Sequence, residues 1–470
     1  MVALLGCAED GALNPVMAEV AADSLTQGRL SANLAVTNTW KDGYCAEIKI
    51  ANSGRSAAEW RATVDLGAGR MTEVWSATAA VSGNRVTFAG VSWTARVGAG
   101  QSVGFGFCAT GTPAARLISI AVPGATPAPP GGDSPPASGV TGGWSRAGTW
   151  AAGRVPSPNT DVTIPKGRTV LLDTSVSVKN LIVDGTLRCA DRDVELSAES
   201  IMVHGRFECG TDRARHKRRL TITLRGNDPS QNVMNMGAKV LGLMHGGVLE
   251  LHGEARKSWL RLGATAAANA TRITLESDPG WRVGDRVVIA STDFDLEQTE
   301  ERTIRGVSGR TLTLDAPLRY PHYGARHTYS NGRTSWTLDE RAEVALLTRN
   351  IRIQGDAGSK DSLFGGHVMS MAGTTLKLAD VELVHMGQAG RLARYPIHFH
   401  MVGDASGQYV KNSSIHHTFN RCITVHATDR ALIQGNVCYE NRGHAIFLED
   451  GVERGNVIEG NLGIMIRRPP

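Results

Sequence analysis

The sequence predicts an all-β protein: an N-terminal β-sandwich, a Pro/Gly linker, then a right-handed parallel β-helix with a glycine-rich β-solenoid domain in front. Three observations predict it. Apolar and polar residues alternate over short runs bounded by turn residues, and no sustained helical periodicity is present. Glycine is abundant, 54 of 470 residues, whereas aromatics make up only 5%, which suits short strands and turns rather than a helical bundle. Two sets of near-copies recur at short fixed offsets, the mark of stacked rungs.

The length accommodates about two to four domains. A formal charge of +5 is modest for 470 residues; it argues only weakly for anionic partners and gives no reason to expect nucleic acid. No run of 18 apolar residues occurs, so no transmembrane helix is expected. Residues 1–30 read as a leader or disordered segment. Within it, Leu4-Leu5-Gly6-Cys7 resembles the end of a bacterial lipoprotein signal, and a lipid on Cys7 would anchor the protein outside the cytoplasm.

Residues 31–122 carry alternating strands (ANLAVTNTW, CAEIKIANSG, RVTFAGVSW, SVGFGFCATG) separated by turns such as KDG and SGN, the pattern of a sandwich. Cys45 and Cys108 lie near its first and last strands and are expected to pair. TNTWKDGYCAEIKIANSG, VWSATAAVSGNRVTFAGVSW and VGAGQSVGFGF resemble the family 2 carbohydrate-binding modules, best known for cellulose. The resemblance implies that Trp40, Trp75 and Trp93 form a flat platform for sugar rings and that Trp60 packs in the core. Stacking by rigid aromatics suits such a role. Ser76 stands where that family often has Asn. Residues 123–142, PGATPAPPGGDSPPASGVTG, lack the apolar residues for a core and read as an extended linker.

From 143 to 262 the style changes. VDGTLRC (183–189) and VHGRFEC (203–209) repeat at an offset of 20, and a related MHGGVLE begins at Met244. Adjacent rungs place Cys189 beside Cys209, a second expected disulfide. GWSRAGTWAAGRVPSPNTDVTIPKGRTVLL with these rungs resembles the eight-glycine domain of extracellular proteins such as fibrocystin and the cell-surface hyaluronidases. RARHKRR (213–219) reads as a solvated basic turn or a contact for an anionic polysaccharide. Paired cysteines imply an oxidising, extracellular or cell-surface setting.

Residues 263–470 read as the parallel β-helix. VKNSSIHHTF (410–419), IQGNVCYENR (433–442) and IEGNLG (458–463) align at offsets of 23 and 25. PIHFHM, CITVHA and AIFLED then stack Ile397, Ile423 and Ile446 in one inward column and Phe399, Val425 and Leu448 in another. Outward columns hold His400, His426 and Glu449, and beside them His398, Thr424 and Phe447; a further column holds His385, His417 and Glu440. Cys438 aligns with Ile415 and reads as a small buried apolar residue. Eight of the 14 histidines fall between His367 and His444, a concentration suited to acid–base chemistry or metal ligation. Asp404, Glu449 and Asp450 are the carboxylates expected to bind Ca²⁺ if it is bound at all.

RAEVALLTRNI, FGGHVM, RYPIHFHMVGD, SIHHTFNRCITVH and GHAIFLEDGVERGN resemble the β-helix of the cell-migration-inducing and transmembrane hyaluronidases, from about residue 281 onward. The resemblance implies an extracellular, Ca²⁺-dependent depolymerase acting on an acidic glycan. The animal enzymes carry an additional globular domain before the helix, for which the sequence, read from Trp259 to Trp281, leaves no room. The helix is also expected to be truncated at IMIRRPP, without a cap. On this reading His398, His400, His426, Glu449, Asp450, Asp404 and Arg421 form the reaction centre, and Arg394, His417 and His444 bind substrate. A hydrolase would use two carboxyl groups, Glu449 or Asp450 with Asp404; a lyase would use a base and a charge neutraliser. The alternative is a non-catalytic glycan-binding adhesin or matrix protein of fibrocystin-like type.

Overall fold

The computed structural model describes residues 23–27, 29–54, 56–91, 94–121 and 141–469. Cys7, Trp93 and nearly all of the linker lie outside them. The chain divides into two compact units, Met1–Asp133 and Ser134–Pro470.

The first unit is a sandwich of two antiparallel sheets. One contains Asp23–Gln27, Leu30–Trp40, Gly43–Asn52, Ser102–Thr110 and Met71–Trp75; the other contains Arg116–Ala121, Arg61–Asp65, Arg85–Gly90 and Ala77–Ser82. Alternation decides the faces. Tyr44, Ala46, Ile48 and Ile50 point inward with Phe105 and Phe107 of the neighbouring strand, and all six are buried. Trp60 is buried, as its expected core role requires; it stacks on Phe105 with centroids 4.9 Å apart, and its Nε1–H donates to the Thr94 carbonyl. Cys45 and Cys108 sit directly opposite each other on adjacent strands and are bonded across them.

In the second unit three parallel sheets of nine, eight and eight strands wrap one apolar tube. The registers follow the repeats: Val183 pairs with Val203 and Val203 with Leu243, Leu187 with Phe207 and Phe207 with Leu249, and Val410 with Ile433 and Ile433 with Ile458. The Cys189–Cys209 disulfide joins successive rungs. Each rung alone leaves its inward row uncovered, so stacking is what buries Leu, Ile and Val. Cys438 is inward and buried, but it is not a free apolar filler: it is disulfide-bonded to Cys422, also fully buried.

The parallel helix is not continuous from residue 263. Between the rung strand Val248–His252 and the next one at Ile351–Gly355, the chain leaves the tube and builds a six-stranded sheet, antiparallel throughout, whose outermost sequence limits are Trp259 and Leu346. This insert has its own core, including Leu262, Ile273, Trp281, Val287, Ile304 and Leu346. The expectation that no additional globular domain fits here is therefore corrected. The inserted strands alternate like rungs but pair antiparallel, so period-2 alternation alone did not separate the two arrangements. The insert docks on the tube through Val288, Ala345 and Leu347 against Val437, Tyr439 and Ile464, and Trp259 Nε1–H donates to the Gly460 carbonyl at 2.9 Å. Among the described residues no helix is long and apolar enough to cross a membrane.

Candidate functional site

The RYPIHFHMVGD segment contributes the strand Ile397–Asp404, paired in parallel with Ile423–Asp429, which pairs in turn with Ile446–Leu448. Ile397, Phe399, Ile423 and Val425 enter the core, which turns His398, His400 and His426 to the other face. A register shift follows His400, and Met401 and Gly403 adopt positive φ there. Up to that shift the register is regular and sets His400 directly opposite His426, with their Nδ1 atoms 3.0 Å apart.

Around this pair the structure gathers most of the predicted residues. His426 Nδ1 is 3.8 Å from Glu449 Oε2, and its Nε2 is 3.3 Å from Asp450 Oδ2. His398 Nε2 is 3.7 Å from the same Glu449 oxygen. Arg421 donates to Glu449 Oε1 at 3.0 Å and to the Tyr395 hydroxyl at 3.0 Å, and that hydroxyl donates to Glu449 Oε1 at 2.9 Å. Arg421 also lies over the Phe447 ring, 3.9 Å from its centroid. Tyr395 is the member that the sequence reading missed. It stands before the strand and outside the aligned columns, so only its place in the quoted motif could have drawn attention to it.

Burial sets the charge state. It holds His398 down to about 2 and His400 down to about 4, in each case helped by a neighbouring imidazole. Both rings are therefore neutral near pH 7 and keep a lone pair. Burial, reinforced by Glu449, pushes the Tyr395 hydroxyl up.

Other predicted residues sit elsewhere. Asp404 is more than half exposed and is ion-paired with Arg430 at 2.7 Å while accepting from Ser406; it does not join Glu449 and Asp450 as a ligand or a catalytic pair. Those three carboxylates form no common cluster. Ca²⁺ takes six to eight oxygens, whereas Glu449 faces imidazole nitrogens and an arginine, so the donor set does not fit that ion. Arg394 is half-buried and has no carboxylate within ion-pair distance among the described residues. His444 stacks on Phe447 with centroids 4.5 Å apart and lines a recess of about 270 Å³ with Arg391, Tyr395, Arg421 and Arg442.

His417 belongs to a different edge. His385, His417 and Glu440 each adopt positive φ immediately after a strand, so this column is a ladder of turn residues. His417 Nε2 lies 2.7 Å from Glu301 of the insert and 3.1 Å from Glu440. Arg286 and Arg467 compensate those carboxylates. The basic turn 213–219 is also largely compensated: Arg215 pairs with Asp212 and Asp380, Arg218 with Asp191, and Arg219 with Asp193.

On the sandwich, Trp40 is half exposed and covers Gly43, and Trp75 is half-buried over Gly106. Both glycines face out of the five-stranded sheet; a Cβ at either would strike the indole ring, at 2.6 Å and 2.0 Å. Two tryptophans therefore lie on one outer face. Ser76 has φ 61°, a conformation that Asn adopts more readily than Ser, in keeping with the Asn common at that place.

Residues 30–126 match the cellulose binding domain family, 149–263 the G8 domain family and 363–470 the CEMIP beta-helix family. Fibrocystin-L of Mus musculus is 35% identical over 373 residues, covering 69% of this chain and 9% of that protein. A G8 domain-containing protein of Dictyostelium discoideum is 33% identical over 334 residues, covering 68% of this chain and 29% of that protein. The chain thus spans less than a third of the length of these relatives. Among solved structures, the chitin-binding domain of Chi18aC from Streptomyces coelicolor is 28% identical, with a TM-score of 0.18, covering 19% of this chain and 89% of that one.

Proposed function

Because the chain joins, in order, a cellulose-binding-type module, a G8 domain and a CEMIP-type β-helix, we propose that it is an extracellular polysaccharide-binding protein whose helix also cleaves a glycan. The sandwich would hold the protein on a cellulose-like chain through Trp40 and Trp75. The helix would act on a second, acidic chain laid over the strands bearing His400 and His426.

The observation that carries the catalytic part is the convergence of His398, His400, His426, Glu449 and Asp450 on one partly open face. A neutral imidazole is competent to take a proton near pH 7. Arg421 and Tyr395 hold Glu449 by one oxygen and leave Oε2 facing the histidines. Arg394, which has no carboxylate partner among the described residues, and Arg421 supply cationic groups suited to a sugar carboxylate. Three disulfides suit an oxidising, extracellular setting.

The test is a depolymerisation assay on hyaluronan, chondroitin, pectin and cellulose, reading chain length and ultraviolet absorbance. Shortening without an absorbing product supports a hydrolase; an absorbing product means a lyase. Intact chains in every case refute the catalytic part. A second reading, a glycan-binding surface protein without turnover, is favoured by the match to fibrocystin-L and by the clamp on Glu449. It predicts retention on one of these chains with no shortening.

A further inference from the structure

The histidine cluster has a donor arrangement that proton transfer alone does not require. Among the described residues, Nε2 of His398 has no hydrogen-bond partner although it is a buried polar atom on a side chain that is 0% exposed. An orphan of this kind is costly unless something binds it. The ring is fixed from behind: Nδ1 faces the Ala393 carbonyl at 3.2 Å, so Nδ1 carries the hydrogen and Nε2 presents a lone pair.

Three further donors surround the same point. The facing Nδ1 atoms of His400 and His426 are 3.0 Å apart. Glu449 Oε2 lies 3.7 Å from His398 Nε2 and 3.8 Å from His426 Nδ1. The three histidines offer donor atoms all within 4.8 Å of one another. Two nitrogens on one tetrahedral zinc ion, each about 2.0–2.1 Å from it, stand about 3.3 Å apart, so one ion spans this set with small side-chain movements.

The outer atoms are partnered as metal ligands require. His426 Nε2 is 3.3 Å from Asp450 Oδ2, a carboxylate–histidine arrangement that orients the ring. Glu449 Oε1 accepts from Tyr395 and Arg421, which leaves Oε2 for the ion. The rival cluster, Glu301, His417 and Glu440, offers a single imidazole, and its Nε2 already lies 2.7 Å from Glu301 and 3.1 Å from Glu440.

We propose that His398, His400, His426 and Glu449 bind one divalent transition-metal ion of the zinc class. Three imidazole nitrogens and one carboxylate suit such an ion and disfavour Ca²⁺ and Mg²⁺, which take oxygen. The open side of the site, at half-buried His400 and His426 and exposed Asp450, is where a water or a sugar oxygen reaches the ion. The site coincides with the face assigned to glycan cleavage, but ion binding is read without any glycan, so either reading can fail while the other stands.

The experiment uses the full chain without a histidine tag, stripped with chelator and titrated with Co²⁺ and then Zn²⁺. One equivalent of Co²⁺ is expected, with the visible absorption of a four-coordinate ion, displaced by one equivalent of Zn²⁺. Asp450→Asn is expected to weaken binding about 10- to 100-fold, as for loss of an outer partner. The His400→Ala, His426→Ala double variant is expected to lose stoichiometric binding with unchanged circular dichroism. His398→Ala empties a fully buried position, so the two half-buried histidines carry the test. Absence of stoichiometric binding, or binding of undiminished affinity in the folded double variant, overturns the proposal.

Discussion

At the scale of the residue, Glu449 is the pivot, because Arg421 and Tyr395 hold one of its oxygens and two histidines face the other. Tyr395→Phe removes one donor and leaves the ring in place. It should lower glycan turnover about tenfold and cost about 1.5–3 kcal/mol of stability, the contribution of a hydrogen bond to a charged group; kcat and the thermal midpoint check this. Two histidines outside the cluster predict a pH dependence. Burial, helped by the positive charge of Arg394, holds His367 down to about 3, and burial with His417 holds His385 down to about 4. Unfolded imidazoles protonate near 6.5 while these folded ones do not. Their stabilisation is therefore complete above about pH 6.5 and declines as the pH falls toward their folded values. His367 alone should cost roughly 3 kcal/mol by about pH 4, read as a falling urea midpoint from pH 7 to 4. The histidine columns were legible because strand alternation and a fixed rung offset determine which side chains meet. Tyr395 and Glu301 were not, because neither lies in an aligned column. Asp404 was misassigned because sequence spacing does not reveal that Arg430 neutralises it.

At the scale of the element, disulfides and indole platforms can be tested singly. The Cys422–Cys438 bond closes a separation of 16 residues inside the tube. Replacing both cysteines by serine should cost about 3 kcal/mol from the chain-entropy term, with further loss from burying two hydroxyls, read in denaturant melts. Alignment placed Cys438 inward correctly, but a pairing depends on how the intervening loop returns, which the repeat does not encode. In the sandwich, Trp40→Ala should weaken retention on insoluble polysaccharide about tenfold and leave folding intact. Trp60→Ala should instead destabilise the module by about 3–5 kcal/mol, because that indole fills the core. Pull-down and thermal melting separate the two outcomes.

At the scale of the whole molecule, the sandwich and the solenoid were readable from composition and repeats. The six-stranded insert was not, because its strands alternate as rungs do and only their antiparallel pairing distinguishes them. The insert contributes Glu301 to the His417 edge and covers Val437, Tyr439 and Ile464 of the tube. Replacing residues 259–346 by a short linker should expose that apolar patch and lower the thermal midpoint of the solenoid. The central claim is that the face bearing His400, His426 and Glu449 turns over a glycan rather than only holding it. The most direct measurement compares wild type with Glu449→Gln for both binding and cleavage of whichever glycan the helix takes up. The account predicts cleavage reduced by about 100-fold or more, with binding within a few-fold of wild type. Equal cleavage by both proteins, or binding without cleavage by either, would contradict it.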